Sequence, residues 1–180
     1  MFGTLKPNEE ELPKTYLFDN GKKIADITGL SLYNRMGLTT QVPKTIKIAS
    51  RDKRIYASVG TLRGKPVKSY IDVTDKNYNL LEILDAIKDF NLIPDLNAES
   101  GILILTERLK SLTDKEINQI IQFALKYPPR VRALIGSILE LMNNKLNLSQ
   151  LKSSLNPLSE FEYKISTKTF YPMLVNGELN

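Results

Sequence analysis

The chain has 180 residues, enough for one domain or one domain with an appendage and for a buried core. Hydrophobic residues make up 42% and charged residues 25%, so disorder is not the default reading. Cysteine, histidine and tryptophan are missing, which excludes disulfides, thiolate nucleophiles, Cys or His metal ligands and the usual general base near neutral pH. A hydrolase built on carboxylates and Mg²⁺ stays open, but the expectation is a protein that is not an enzyme and uses no cofactor or metal.

No apolar run approaches the roughly 18–20 residues of a membrane span. The first residues, MFGTLKPNEEELPK, lack the apolar stretch of a signal peptide. The expected location is cytoplasmic, with no membrane partner.

The formal net charge is +5, and it is unevenly spread. Residues 1–43 balance five basic against five acidic groups, and residues 69–180 hold twelve basic and fourteen acidic ones. The excess lies in residues 44–68, where Lys44, Lys47, Arg51, Lys53, Arg54, Arg63, Lys65 and Lys68 face Asp52 alone. Such a run creates a field that an anionic surface could use; it is equally the composition of solvated strands and turns.

In chain order, Asn8 can cap a helix whose first turn, Glu9 to Glu11, suits the dipole, although Pro13 offers an alternative start. Asn20-Gly21 marks a turn. Ile24 to Met36 reads as a short helix with Ile27 and Leu30 inward, weakened by Gly29 and stopped at Gly37. Leu38 to Pro43 is a connector. Three alternating runs follow: Ile46 and Ile48; Ile55, Ala57 and Val59; Val67, Ile71 and Val73. Period two with β-branched residues predicts half-buried strands, with turns at Ser50–Lys53 and Gly60–Lys65. The expected result is a three-stranded antiparallel meander whose wet face shows Lys47, Arg54, Tyr56, Lys68 and Tyr70.

The remainder is mainly helical. Leu80, Ile83, Leu84, Ile87 and Phe90 keep helical spacing up to Pro94. Gly101–Leu105 fits a buried strand or a helix, and a helix through Leu112 is preferred. Thr113 and Glu116 form a capping box before Ile117, Ile120, Ile121 and Ala124. Pro128-Pro129 breaks the chain and opens a helix carrying Val131, Leu134, Ile135, Ile138, Leu139 and Met142, ended by Asn143-Asn144. These two helices read as a buried hairpin. Ser149–Leu155 predicts a short helix, and Phe161, Tyr163 and Ile165 a last strand. No repeat or low-complexity linker interrupts the chain. The expected fold class is α+β: a short antiparallel sheet packed with a helical subdomain, within a single domain over residues 1–180.

Few motifs carry chemistry. Gly60-Thr61-Leu62-Arg63-Gly64-Lys65 superficially resembles a phosphate loop, but its length is wrong and a hairpin turn explains it better. Glu82, Asp85 and Asp89 share a helical face and could meet a divalent cation; a solvated face explains them better. Arg130 and Arg132 sit in a first helical turn, where cations oppose the dipole. That points to a partner or to an internal ion pair, for example with Glu140. Lysine and arginine interleaved with tyrosine on the strand face suit phosphate contacts with base stacking, or an acidic protein partner. The candidate binding residues are therefore Lys47, Arg54, Tyr56, Lys68, Tyr70, Arg130 and Arg132, with no catalytic or metal-ligating residue.

Two segments, GLSLYNRMGLTTQVPKTIKIAS (Gly29–Ser50) and KYPPRVRALIGSILE (Lys126–Glu140), in this order and spacing, resemble the AbiEi-type antitoxins of type IV toxin–antitoxin systems. These are transcriptional regulators of bacterial abortive-infection, phage-defence loci. The resemblance covers approximately residues 2–142 and implies an α+β effector region. It also implies a function: countering a nucleotidyltransferase toxin, generally without a stable complex, and without catalysis. The family pairs this region with an N-terminal, DNA-binding winged helix. None is seen here, so autorepression by this chain is in doubt. Within the motif, Gly37 would turn the chain, Gln41 would bond backbone amides, and Pro43 would fix the approach to the strand. A regulator that binds DNA or RNA through the same basic face is the alternative.

Overall fold

The computed structural model describes residues 12–142, 146–159, 161 and 163. The fold is α+β, as expected, and divides into two compact units. The first runs to Glu82 and adds Ile93–Asp95; the second takes Ile83–Leu92 and the residues from Leu96 onward. The predicted cap at Asn8 lies outside the described residues, and a single 3-10 turn, Lys14–Tyr16, follows Pro13.

In the first unit, strands β1 (Phe18–Asp19) and β2 (Lys22–Lys23) form a hairpin. Its turn is the expected Asn20-Gly21, with φ of 48° and 74°, the two positive values that a tight hairpin matching strand twist requires. The next stretch departs from expectation. Ala25–Thr28 is strand β3, and only Leu30–Arg35 is helix α1. The hinge is Gly29, at φ 72° and ψ −149°, a conformation closed to side-chain-bearing residues. An added Cβ would also lie 2.7 Å from Lys47 Cδ. Ala25 and Ile27 alternate with Asp26 as well as any strand does, and the partner that selects strand over helix is β4 (Ile46–Ser50), antiparallel to β3. Helix α1 stops as expected at Gly37. The Leu38 N–H donates to Tyr33 O at 2.8 Å and the Gly37 N–H to Asn34 O at 3.0 Å, which satisfies the last carbonyls of the helix. Gln41 does not bond backbone amides with its side chain; its Nε2 donates to Asp95 Oδ2 at 2.9 Å.

The main sheet also differs from the expected meander. It has four strands in the order β3-β4-β6-β5, with β5 at Ala57–Val59 and β6 at Leu62–Lys68. Strands β5 and β6 form an antiparallel hairpin, but β6 returns parallel to β4, so the sheet is mixed. The third predicted strand starts too late. Arg63, Gly64 and Lys65 read as a turn, yet Gly64 is a strand residue facing inward. A Cβ there would sit 2.8 Å from both Ala57 Cβ and Ile48 Cδ1. Its glycine marks close packing between strands, not a bend. Beyond Lys68 the chain leaves the sheet, and Ser69 Oγ donates to Ile71 O at 2.7 Å. The inner face buries Ala25, Ile27, Ile46, Ile48, Ala57 and Leu62 together with Leu12. Helix α1 packs on β3 and β4.

Helix α2 (Tyr78–Lys88) contains the division between the units. In the second unit Leu84, Ile87 and Phe90 are buried as expected. Helix α3 (Ala98–Lys110) settles the ambiguous segment as helix, capped by Asn97, whose side chain accepts from the Ser100 N–H. Gly101 lets this helix come close: an added Cβ would be 2.9 Å from Leu96 Cδ1 and 3.0 Å from Phe90 Cε2. Helix α4 (Asp114–Ala124) opens with the expected capping box of Thr113 and Glu116. Helix α5 (Pro129–Met142) begins at Pro129 and buries Val131, Leu134, Ile135, Ile138 and Leu139. It also buries Ala133, Gly136 and Ser137, so it is the central helix of this unit, packed by α3, α4 and a short α6 (Ser149–Ser153). Ser137 meets its hydrogen-bonding need within the helix, donating to Ala133 O at 3.0 Å. Phe161 and Tyr163 lie in no regular element; the rest of the predicted last strand, Ile165 included, lies outside the described residues.

Candidate anion-binding site

Register defines the outer, basic side of the sheet. Lys47 pairs with Lys65 across the parallel β4–β6 ladder, and Arg63 pairs with Ser58 across the β5–β6 hairpin. Paired residues point to one face, so Lys47, Lys65 and Arg63 share the outer side. Lys68 pairs with Ser50 and belongs to the opposite face, reaching solvent only at the strand's end. The expectation that Lys47 and Lys68 share one wet face is therefore corrected: Lys68 lies three steps along the strand from Lys65, and each step reverses the face. Directly opposed lysines are unfavourable in a sheet, and nothing acidic separates Lys47 from Lys65 along the ladder.

Strand β5 covers only the first half of β6, from Leu62 to Gly64. Pro66, which cannot donate a hydrogen bond, lies in the uncovered half, where no strand needs one. The loop Arg51–Tyr56 swings from β4 to β5 past this open edge and leaves a cavity of about 490 Å³, within the range of small-ligand sites. Its walls include Arg51, Lys53, Arg54, Tyr56, Pro66 and Lys68, with Asp52 as the acidic group. An adjoining cavity of about 510 Å³ is lined by Tyr56 and Pro66 again, with Thr45, Arg63 and Lys65. Tyr56 thus stands between the two, with 69% of its surface exposed.

The cations fall into two groups. Arg51, Lys53 and Arg63 brace the fold. Arg51 Nη1 donates to Tyr70 O at 2.8 Å and Ser69 O at 3.3 Å, tying the loop to the chain after β6. Lys53 Nζ pairs with Asp19 Oδ2 at 2.5 Å. Arg63 Nη1 donates to Gly60 O at 2.7 Å across the hairpin turn. Bonds to carbonyl oxygens leave the guanidinium charge in place. Arg54, Lys65 and Lys68 are exposed, and among the described residues their side chains make no ion pair or hydrogen bond. The site can hold an anion by charge and donors, and can stack a planar group on Tyr56.

Of the predicted binding residues, Arg54, Tyr56 and Lys68 come together in the first cavity. Lys47 lies outside both cavities, its aliphatic stem laid over Gly29. Tyr70 is partly exposed, and its main-chain carbonyl anchors Arg51. Arg130 and Arg132 belong to the second unit and are half-buried. Arg132 Nη1 donates to Ser154 O at 2.9 Å. The Arg130 guanidinium lies 5.6 Å from the Tyr163 ring centroid, and its carbonyl accepts from the Tyr163 hydroxyl. Burial pushes the Tyr163 hydroxyl pKa upward. Glu140, the carboxylate considered for these arginines, instead pairs with Lys152 at 2.7 Å. Arg51, Lys53, Arg63 and Lys65 stood out in sequence only as members of a charge run; the loop and the strand frame place them around the cavities.

The acidic trio on α2 is not the solvated face expected from sequence. Asp85 is buried and accepts from Tyr127 Oη at 3.1 Å, and Asp89 lies 3.7 Å from Lys88 Nζ. Glu82 Oε1 pairs with Arg35 Nη2 at 2.6 Å. Burial raises the Glu82 pKa to about 7; Arg35 counters this, and the nearby Asp26 carboxylate adds to it. Asp26 in turn pairs with Lys23 at 3.0 Å, and the Lys23 ammonium lies 3.8 Å from the centre of the Tyr78 ring. Among the described residues, no group of three or more acidic side chains is placed to hold a metal ion, and no helix is long and apolar enough to cross a membrane.

No protein-family model matches the chain, and no match is found among curated proteins or among solved structures.

Proposed function

We propose that this chain is a non-catalytic regulatory module of the antitoxin type, which counters a nucleotidyltransferase toxin and works by engaging an anionic surface through the Arg54–Tyr56–Lys68 cradle. The observation that carries the reading is the set of uncommitted cations around an open cavity at the sheet edge. Exposed like charges crowded in this way repel one another, and an anionic partner offsets that repulsion. The likeness of Gly29–Ser50 and Lys126–Glu140 to the AbiEi-type antitoxins supports the biological setting. In the structure these segments supply β4 with the helix before it, and the central helix of the second unit.

The test is protection. Growth is followed in cells making a nucleotidyltransferase toxin of the abortive-infection class, with and without this chain. Protection is expected, and its loss is expected when Arg54→Glu and Lys68→Glu are combined. Both side chains are exposed, so the double variant keeps its fold. Undiminished protection by the folded double variant removes the cradle from the proposal, and no protection by the soluble parent chain removes the antitoxin reading.

A further inference from the structure

Three features of the cradle bear on what occupies it. First, the uncommitted cations lie on both sides of one aromatic ring: Arg54 and Lys68 line one cavity, Lys65 the other, and Tyr56 lines both. Second, that ring is exposed beside an open sheet edge and Pro66, so a flat group can approach its face. Third, the two cavities, of about 490 and about 510 Å³, are open to solvent; the first is lined mainly by charged groups, and the second combines Arg63 and Lys65 with the apolar surface of Tyr56, Ala57 and Pro66. A free small anion would use the charges and ignore the ring. A base-paired duplex would offer phosphates but keep its bases stacked on each other. A single strand uses everything present, with successive phosphates on the two cationic flanks and the intervening base on the aromatic ring.

We infer that the cradle is a binding site for single-stranded nucleic acid, with a base stacked on Tyr56 and the flanking phosphates held by Arg54 and Lys68 on one side and Lys65 on the other. This deepens the proposed use of the cradle and names its partner class. Stacking and phosphate contacts carry no base identity, so recognition through them is largely independent of sequence.

The test is fluorescence anisotropy of labelled oligo(dT) about 15 nucleotides long, titrated with the full chain at several salt concentrations. Saturable binding is expected, weakening with salt at a log–log slope of about −0.7 per phosphate contact. Tyr56→Ala loses roughly tenfold or more in affinity, while Tyr56→Phe, which keeps the stacking face, stays within about twofold. Arg54→Ala with Lys68→Ala flattens the slope by about 1.4. Tyr56 is exposed, and unchanged thermal melts of the variants show that the fold is kept. An oligo(U) arm decides between DNA and RNA, and binding of either strand supports the inference. Absence of binding at low salt overturns it. So does tighter binding of the matched duplex with Tyr56→Ala unchanged, or equal competition by poly-glutamate, which assigns the cradle to an acidic protein. A chain that protects cells yet binds neither strand overturns this inference alone; one that binds and does not protect overturns the antitoxin reading alone.

Discussion

Replacing Gly64 by alanine tests the strand arrangement on which the cradle is built. The added Cβ would lie 2.8 Å from Ala57 Cβ and 2.8 Å from Ile48 Cδ1. Carbon atoms in contact prefer roughly 3.5–4.0 Å, so each neighbour must retreat by about 1 Å. Neither can do so easily. Ala57 has no rotatable side chain, and Ile48 is fully buried in the centre of the sheet. Overpacking of this kind costs about 1–3 kcal/mol, partly offset by the loss of glycine's backbone entropy, worth about 0.4–1 kcal/mol. The net expectation is a destabilisation of about 1–2 kcal/mol, read as a lower midpoint in urea. A double-mutant cycle isolates the cause. Ile48→Val removes the Cδ1 methyl, costing about 0.5–1.5 kcal/mol alone, and in the Gly64→Ala background it should cost less because it relieves one clash. If Gly64 were a turn residue, Gly64→Ala would be near neutral and the pair would be additive. That result would refute the parallel β4–β6 pairing with Gly64 as an inward strand residue.

Further outcomes follow from single sites. Glu82 has a folded pKa of about 7, above its ordinary value of 4.5, so the folded state holds that proton more tightly. Its contribution to stability is complete below about pH 4.5 and is lost as pH rises through about 7. Glu82→Gln should flatten the fall in stability between about pH 5 and about pH 8 by about 1–3 kcal/mol, measured by urea unfolding at both; an unchanged slope means the carboxyl ionises freely in the folded chain. Thr113→Ala removes the Oγ that accepts the Glu116 N–H and should cost about 0.5–2 kcal/mol, with faster hydrogen exchange in the first turn of α4 as the local readout.

Much of the second unit was legible in sequence because its determinants are local. The Thr113–Glu116 capping box, the break at Pro128-Pro129 and the periodic isoleucines and leucines of α4 and α5 act within a few residues of one another. The Asn20-Gly21 turn and the Gly37 helix stop are local in the same way, since each rests on a backbone conformation that few residues adopt. The basic run in residues 44–68 was equally plain from composition.

What only the tertiary structure decided are features set by partners distant in the chain. Ala25–Thr28 is a strand because β4 lies beside it; taken alone, its apolar spacing suits a helix as well. Gly64 resembles a turn glycine until Ile48 and Ala57 are seen closing on it. The parallel return of β6 changes which cations are neighbours, joining Lys65 to Lys47 and sending Lys68 to the other face. Arg130 and Arg132 are committed to Tyr163 and Ser154 within their own unit, a use that no local pattern reveals. Charge and turn chemistry are written residue by residue, whereas register, strand order and the face a side chain occupies arise from long-range pairing. The cradle depends on both: composition supplied its cations, and the short β5 left the edge of β6 open to them.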